Sequence, residues 1–159
     1  MDLQSLLKPL EELEESLGGL YEWFGRLFAE DEEAASLFRR MARDERSHAT
    51  LIRYERRLLR QNKIEVPTPL ERSQIGEALE RIRALSQEVP PTLEEAIRFA
   101  LEIENHDAEN HYRFTKGLLP PSLTQLLGRL GREDERHYKG LLAFAGRRGK
   151  PFAAGEERS

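Results

Sequence analysis

Two stretches decide how this chain is read: MARDERSHATLI, residues 41–52, and LGRLGREDERHYKGLLAF, residues 127–144. Each carries apolar residues at alternating steps of three and four. Phe38, Met41 and Ile52 mark the first, and Leu127, Leu130, Leu141 and Phe144 mark the second. That spacing is one face of a helix. Each face is broken at its middle by an acid and a histidine three positions apart, Glu45 with His48 and Asp134 with His137. Residues at i and i+3 lie about 60° apart around a helix axis and about 4.5 Å apart along it, so both side chains can reach one point.

Outward from these stretches, glycine and proline punctuate the chain. Residues 3–30 carry Leu3, Leu7, Leu10, Leu17, Tyr21, Phe24 and Phe28, a helical spacing that Pro9 either starts or kinks. The run Glu30-Asp31-Glu32-Glu33 fits a turn and the acidic first turn of a second helix over about 32–61. Asn62-Lys63 and Val66-Pro67-Thr68-Pro69 end it. Residues 70–88 form a shorter amphipathic segment. Thr92 and Glu95 are spaced as a capping box for a helix over about 93–117, and Gly117 to Ser122 break before a last helix over about 122–145. No period-two pattern runs long enough for a sheet. The expectation is an all-α protein: two helical hairpins, about 1–61 and 93–145, joined by a long crossover with a short extra helix and packed as a four-helix bundle over residues 1–146. Residues 147–159 read as a polar, mobile tail.

With 159 residues the chain suits one domain. Lys+Arg 25 against Asp+Glu 29 gives a net charge of -4, which argues against nucleic acid as a partner. The absence of cysteine excludes disulfides, thiolate metal sites and Cys nucleophiles. No apolar run approaches the roughly 20 residues that cross a membrane, and the acidic amphipathic start is unlike a signal or transit peptide, so a cytoplasmic location is expected.

The other two helices add acids to their own stripes. One reads Ile97, Ala100, Glu104, Asp107, His111, Phe114. The first reads Leu7, Leu10, Glu14, Leu17, Tyr21, Phe24. An equally good stripe in that first helix, Leu6, Leu10, Leu13, Leu17, Leu20 and Phe24, carries no acid and leaves Glu14 on the flank, with Glu11 and Glu15 as substitutes. Glu14 precedes Glu45 by 31 residues and Glu104 precedes Asp134 by 30, so the hairpins look like a duplicated unit. A buried, unpaired, ionised carboxylate costs several kcal/mol even after relaxation. Two divalent ions would balance four such groups, with His48 and His137 completing the shells. Oxygen and nitrogen donors without sulfur suit Fe, Mn or Zn. The competing neutralisers are Arg43, Arg46, Arg132 and Arg136, which flank both motifs. His106 reads as exposed, and Trp23 as an interhelix or subunit contact.

Glu14, Glu45-Arg-Ser-His48, Glu104 and Asp134-Glu-Arg-His137 together resemble the rubrerythrin branch of the ferritin-like di-iron carboxylate proteins: a Glu on one helix, Glu-x-x-His on the next, repeated once. Tyr21-Glu-Trp-Phe24-Gly and Ala100-Leu-Glu-Ile-Glu104 followed by Tyr112 are similar as well, and the likeness spans about residues 6–145. It implies two Fe ions per chain (Mn or Zn in their place), with Glu14, Glu45, His48, Glu104, Asp134 and His137 as ligands and Glu45 and Asp134 as bridges. It implies reduction of peroxide or O₂. Asp107, Tyr21, His111 and Tyr112 are possible additional or outer ligands. The sequence departs from the family at Asp134, one methylene shorter than the usual Glu, and in having no cysteine-ligated rubredoxin module, so electrons must come from a separate donor or from substrate iron. Two other readings stay open: a ferroxidase handling Fe(II) for storage or transfer, and a metal-free structural bundle. A homodimer is expected from the wide leucine faces.

Overall fold

The computed structural model describes residues 2–61, 70–114 and 119–149, without the side chains of 70–72, 108–110 and 112–114. It is a helical bundle of α1 (Leu3–Leu27), α2 (Glu32–Leu58), α3 (Leu70–Gln87), α4 (Leu93–Phe114) and α5 (Pro121–Arg147), with no strand among the described residues. The break expected over 62–69, the last residues of the helix expected to reach 117, the first two residues of the Gly117–Ser122 break, the side chains of Tyr112 and Phe114, and the tail from 150 onward lie outside the described residues.

The helix starts follow from local chemistry. Asp31 Oδ1 accepts the Ala34 N–H at 3.1 Å, and Glu32 and Glu33 sit in the first turn of α2, where the backbone presents positive charge. At the start of α4 the Thr92 N–H donates to Glu95 Oε1 and the Glu95 N–H donates to Thr92 Oγ1, both at 3.2 Å. Helix α5 opens on Pro121, where a missing N–H loses nothing.

Pro9 does not start α1, which begins six residues earlier. A proline inside a helix costs about 3 kcal/mol, whereas fully burying one leucine returns about 1.5–3 kcal/mol. Leu3, Leu6 and Leu7 are all buried, so packing outweighs the lost hydrogen bond.

At the other end the ordered bundle runs past the break read at residue 146. Arg147 donates to Glu33 Oε1, and Arg148 reaches both Asp31 oxygens at 2.7 and 2.8 Å while its guanidinium lies 4.5 Å from the Phe144 ring centroid. Arg147 and Arg148 are thus tied to the α1–α2 turn.

Helices α1 and α2 run antiparallel: Gln4 Nε2 donates to the Arg56 carbonyl, Arg53 Nε to Glu11, and Arg46 to Glu22. They approach closely because α1 is glycine there. A Cβ on Gly18 would stand 3.0 Å from Arg46 Cγ and 3.5 Å from the Ala42 carbonyl oxygen. Helix α4 pairs with α5, α2 meets α5 across the bundle, and α3 lies against α1. That last contact settles the choice between the two α1 stripes. With α2 on one flank and α3 on another, α1 buries both: Leu6, Leu13 and Leu20 are covered, and so are Leu7, Leu10 and Glu14. Tyr21, Phe24 and Phe38 form an aromatic wall in the core, with Phe24 and Phe38 edge to face at 5.1 Å. Half-buried Trp23 packs on it, 5.6 Å from Phe24.

Candidate metal centre

Eight ionisable residues occupy core positions on four helices. Glu14 (α1), Glu45 and His48 (α2), Glu104, Asp107 and His111 (α4), and Asp134 and His137 (α5) are all buried, with His137 the most exposed at 8%. The reason is the spacing: each replaces an apolar residue on a stripe whose neighbours pack inward. Glu11 and Glu15, the substitutes for Glu14, do not join them. Glu11 is buried too, but Arg53 Nε donates to it at 2.6 Å and so balances its charge, while the other end of Arg53 pairs with exposed Glu15. The arginines beside the motifs also turn away. Arg46 pairs with Glu22, and Arg43, Arg132 and Arg136 are exposed.

The six donors Glu14, Glu45, His48, Glu104, Asp134 and His137 fall into two groups. Glu14, Glu45 and His48 bring one ligand atom each within 4.8 Å of one another, and Glu45, Glu104, Asp134 and His137 do the same. Glu45 belongs to both, Asp134 to the second alone. His48 Nδ1 lies 3.3 Å from both Glu14 Oε2 and Glu45 Oε2. His137 Nδ1 lies 3.0 Å from Glu45 Oε1 and 3.5 Å from Glu104 Oε2.

Both imidazoles turn Nδ1 inward and Nε2 outward, and each Nε2 meets an acid from the other hairpin. His137 Nε2 lies 2.9 Å from Asp44 Oδ2, and His48 Nε2 contacts Glu133 Oε2. An N–H committed to a carboxylate there leaves the inward nitrogen as a lone pair for a cation and fixes the ring. Sequence reasoning missed Asp44 and Glu133. Their signal was an acid directly before each motif, Asp44-Glu45 and Glu133-Asp134. These two acids, with Arg40, Met41, Arg136 and His137, line a pocket of about 240 Å³ between α2 and α5, above the imidazoles.

Two further side chains brace the carboxylates. The Tyr21 hydroxyl donates to Glu104 Oε1 at 2.7 Å. Burial, with Glu104 and Glu45 close by, pushes that phenol well above its usual range, so it stays a donor. His111 lies with Nδ1 2.6 Å from Asp134 Oδ2 and Nε2 3.2 Å from Glu14 Oε1. Asp107 is buried with Oδ1 unpartnered. His106, read as exposed, is half-buried.

Electrostatics shows how much charge this core must settle. Burial pushes the Glu45 carboxyl well above the carboxylate range, and Glu104 and Glu14 push the same way. Burial also lifts Asp107, aided by Asp134 and Glu14, and lifts Asp134 up to about 7 against the pull of His111. At Glu14 burial is overcome by its close neighbours Glu45, His111 and His48, and its carboxyl falls well below the usual range. Burial opposes charge on the imidazoles, yet Glu14 and Glu45 hold His48 up at about 12. Asp134 and Glu14 hold His111 well above its ordinary value in the same way. In metal-free protein the cluster thus keeps protons on its imidazoles and among its acids, and a divalent cation would displace them.

The donors fit such cations. Glu14 Oε1, both Glu45 oxygens, Glu104 Oε2, Asp107 Oδ1 and His137 Nδ1 are buried with no hydrogen-bond partner. Leaving one such atom orphaned costs about 1–3 kcal/mol, so several converging in one core indicate ligand atoms better than packing. Oxygen and imidazole nitrogen without sulfur suit Fe, Mn or Zn. The chain matches no family model, no curated protein and no solved structure. No helix among the described residues is long and apolar enough to cross a membrane.

Proposed function

We propose that this chain is a ferritin-like four-helix bundle, two hairpins joined across α3, that holds two iron ions and reduces peroxide or O₂. The observation that carries this reading is the pair of buried ligand clusters sharing Glu45, with carboxylate oxygens that no proton donor satisfies. Glu14 and His48 would hold one ion, Glu104, Asp134 and His137 the other, and Glu45 would span both. Manganese or zinc suits the same donors, but only a redox metal serves the reaction.

Two ferrous ions, when bound, supply the electron pair that reduction of an O–O bond requires. The chain's own residues set the stage. Asp44 and Glu133 hold the two imidazoles by Nε2 and so aim Nδ1 inward. Tyr21 donates to Glu104 Oε1 and leaves Oε2 of that carboxylate unpartnered. The wall of Tyr21, Phe24 and Phe38 keeps bulk water from that side, while the α2–α5 pocket gives a small polar molecule an approach to His137. These 159 residues hold no cysteine to ligate a redox centre, so the electrons would come from a donor outside them.

A second reading shares these ligands: Fe(II) is itself the substrate, oxidised for storage or transfer. The α2–α5 pocket, where Asp44 and Glu133 are offset by Arg40 and Arg136, would give a small ion an approach to His137. Metal analysis of protein from iron-replete cells, followed by stopped-flow mixing of the reduced protein with hydrogen peroxide, tests both. About two iron ions per chain and a near-ultraviolet band bleached by reductant and restored by peroxide support the oxidoreductase. Uptake well beyond two per chain favours iron handling. Metal-free protein removes both and leaves a structural bundle.

A further inference from the structure

The two hairpins repeat each other in register. Glu14 and Glu104 stand 90 residues apart, as do Tyr21 and His111, while Asp44, Glu45 and His48 precede Glu133, Asp134 and His137 by 89. Contacts repeat with the numbers. Asp44 meets His137 Nε2 and Glu133 meets His48 Nε2. Tyr21 reaches Glu104 at 2.7 Å, and His111 Nε2 reaches Glu14 at 3.2 Å.

The repeat fails where it matters for ion binding. Tyr21 has one polar atom, so its contact ends at Glu104. His111 has a second nitrogen, and it lies 2.6 Å from Asp134 Oδ2. Asp134 is also the ligand whose arm is one methylene shorter than that of its counterpart, Glu45. It joins Glu45, Glu104 and His137, giving that cluster four donors where Glu14, Glu45 and His48 supply three. A short carboxylate has little reach, so its usefulness as a ligand depends on being held at one angle. A ring braced on both sides can hold it.

We propose that His111 is a positioning residue that makes the two ion sites unequal: by gripping Asp134 it completes the Glu45–Glu104–Asp134–His137 cluster, which takes its ion first and more tightly. This rests on the metal-centre reading above and concerns how the two sites differ. The site served by Glu14 and His48 fills second.

Titration of metal-free protein with cobalt(II) chloride, followed by visible absorption and calorimetry, tests it. The unmutated chain is expected to bind in two separated steps. His48→Ala should delete the weaker step and spare the tighter one. His111→Ala should weaken the tighter step by about 10–100-fold, so that the two steps merge. His111→Asn, whose amide N–H can donate to Asp134 from near the position of Nδ1, should keep them apart. This rescue separates positioning from mere packing, and it decides the matter if the alanine variant fails to fold. Two equal steps in the unmutated chain overturn the proposal alone. So does a His111→Ala titration in which the tighter constant stays within twofold, or merged steps in a folded His111→Asn. No cobalt uptake by the unmutated chain removes the metal centre itself.

Discussion

Glu11 and Glu14 sit three residues apart on one helix and meet opposite fates. Glu11 faces the α1–α2 rim, where Arg53 and Arg56 cover its oxygens at 2.6 and 2.9 Å. Glu14 points into the bundle, where its nearest cationic partners are two imidazoles and one oxygen has no hydrogen bond. An acid covered by two arginines is finished: although Glu11 is buried, its charge is balanced and both oxygens are paired. A core acid with only histidines for company is charge-balanced by protons and geometrically incomplete, which is the condition of a ligand waiting for a cation. If that contrast is right, removing charge from the core and from the rim must act in opposite directions.

The largest effect is expected at Glu45. Its carboxyl is raised far above the unfolded value, so at neutral pH folding must either bury the charge or take up a proton. Glu45→Gln should therefore raise the Tm of metal-free protein while abolishing ion binding at both clusters, read by calorimetry and metal analysis. Glu11→Gln should do neither. A metal-free Tm that falls on Glu45→Gln would mean the core acids are structural.

The second effect is on the intact chain. An ion that binds only the folded state stabilises it by about 2.7 kcal/mol at a free concentration 100-fold above Kd, which for a chain of this size is a rise in Tm of about 5–10 °C. Thermal melts with and without ferrous ion under anaerobic conditions check it, and the rise should vanish in Glu45→Gln. Tyr21→Phe comes third. It strips the donor from Glu104 Oε1, a buried atom, at a cost of about 1–3 kcal/mol. Because the same bond orients Glu104, peroxide turnover should slow more than stability falls.

The all-helical bundle and most of the buried cluster were legible because a polar residue on an apolar stripe is a local signal. Glu45, His48, Asp134 and His137 announce themselves within single helices, and the capping pair Thr92 and Glu95 needs only its spacing of three. What stayed hidden is whatever depends on how helices meet. Asp44 and Glu133 look like surface acids on their own helices, and only the α2–α5 contact brings them to the opposite imidazoles. His111 reads as one more core histidine until Asp134 and Glu14 stand on either side of it. The same holds for α1, whose two competing stripes no inspection of α1 could rank, since the answer lies in α3. Pro9 misled for a related reason: its penalty is local and visible, whereas the burial that outweighs it is tertiary.

The smallest effect sharpens the rim side of the contrast. Asp31 has two tasks, capping α2 through the Ala34 N–H and pairing with Arg148 from the far end of the chain. Asparagine caps a helix about as well as aspartate, so Asp31→Asn isolates the ion pair. Hydrogen bonds from Arg148 first, and the Ala34 N–H next, hold this carboxyl below its ordinary value of 3.8. A depressed carboxylate contributes stability that is present above its unfolded value and is lost as pH falls through the folded one. At pH 7 the variant should therefore melt lower, by about 1–3 °C, since exposed pairs are worth little. The gap should shrink with added salt and close as pH falls through the depressed folded value, where the aspartate loses the charge that the asparagine never had. A gap that persists unchanged in acid would assign the loss to the cap and leave the pair with no measurable share.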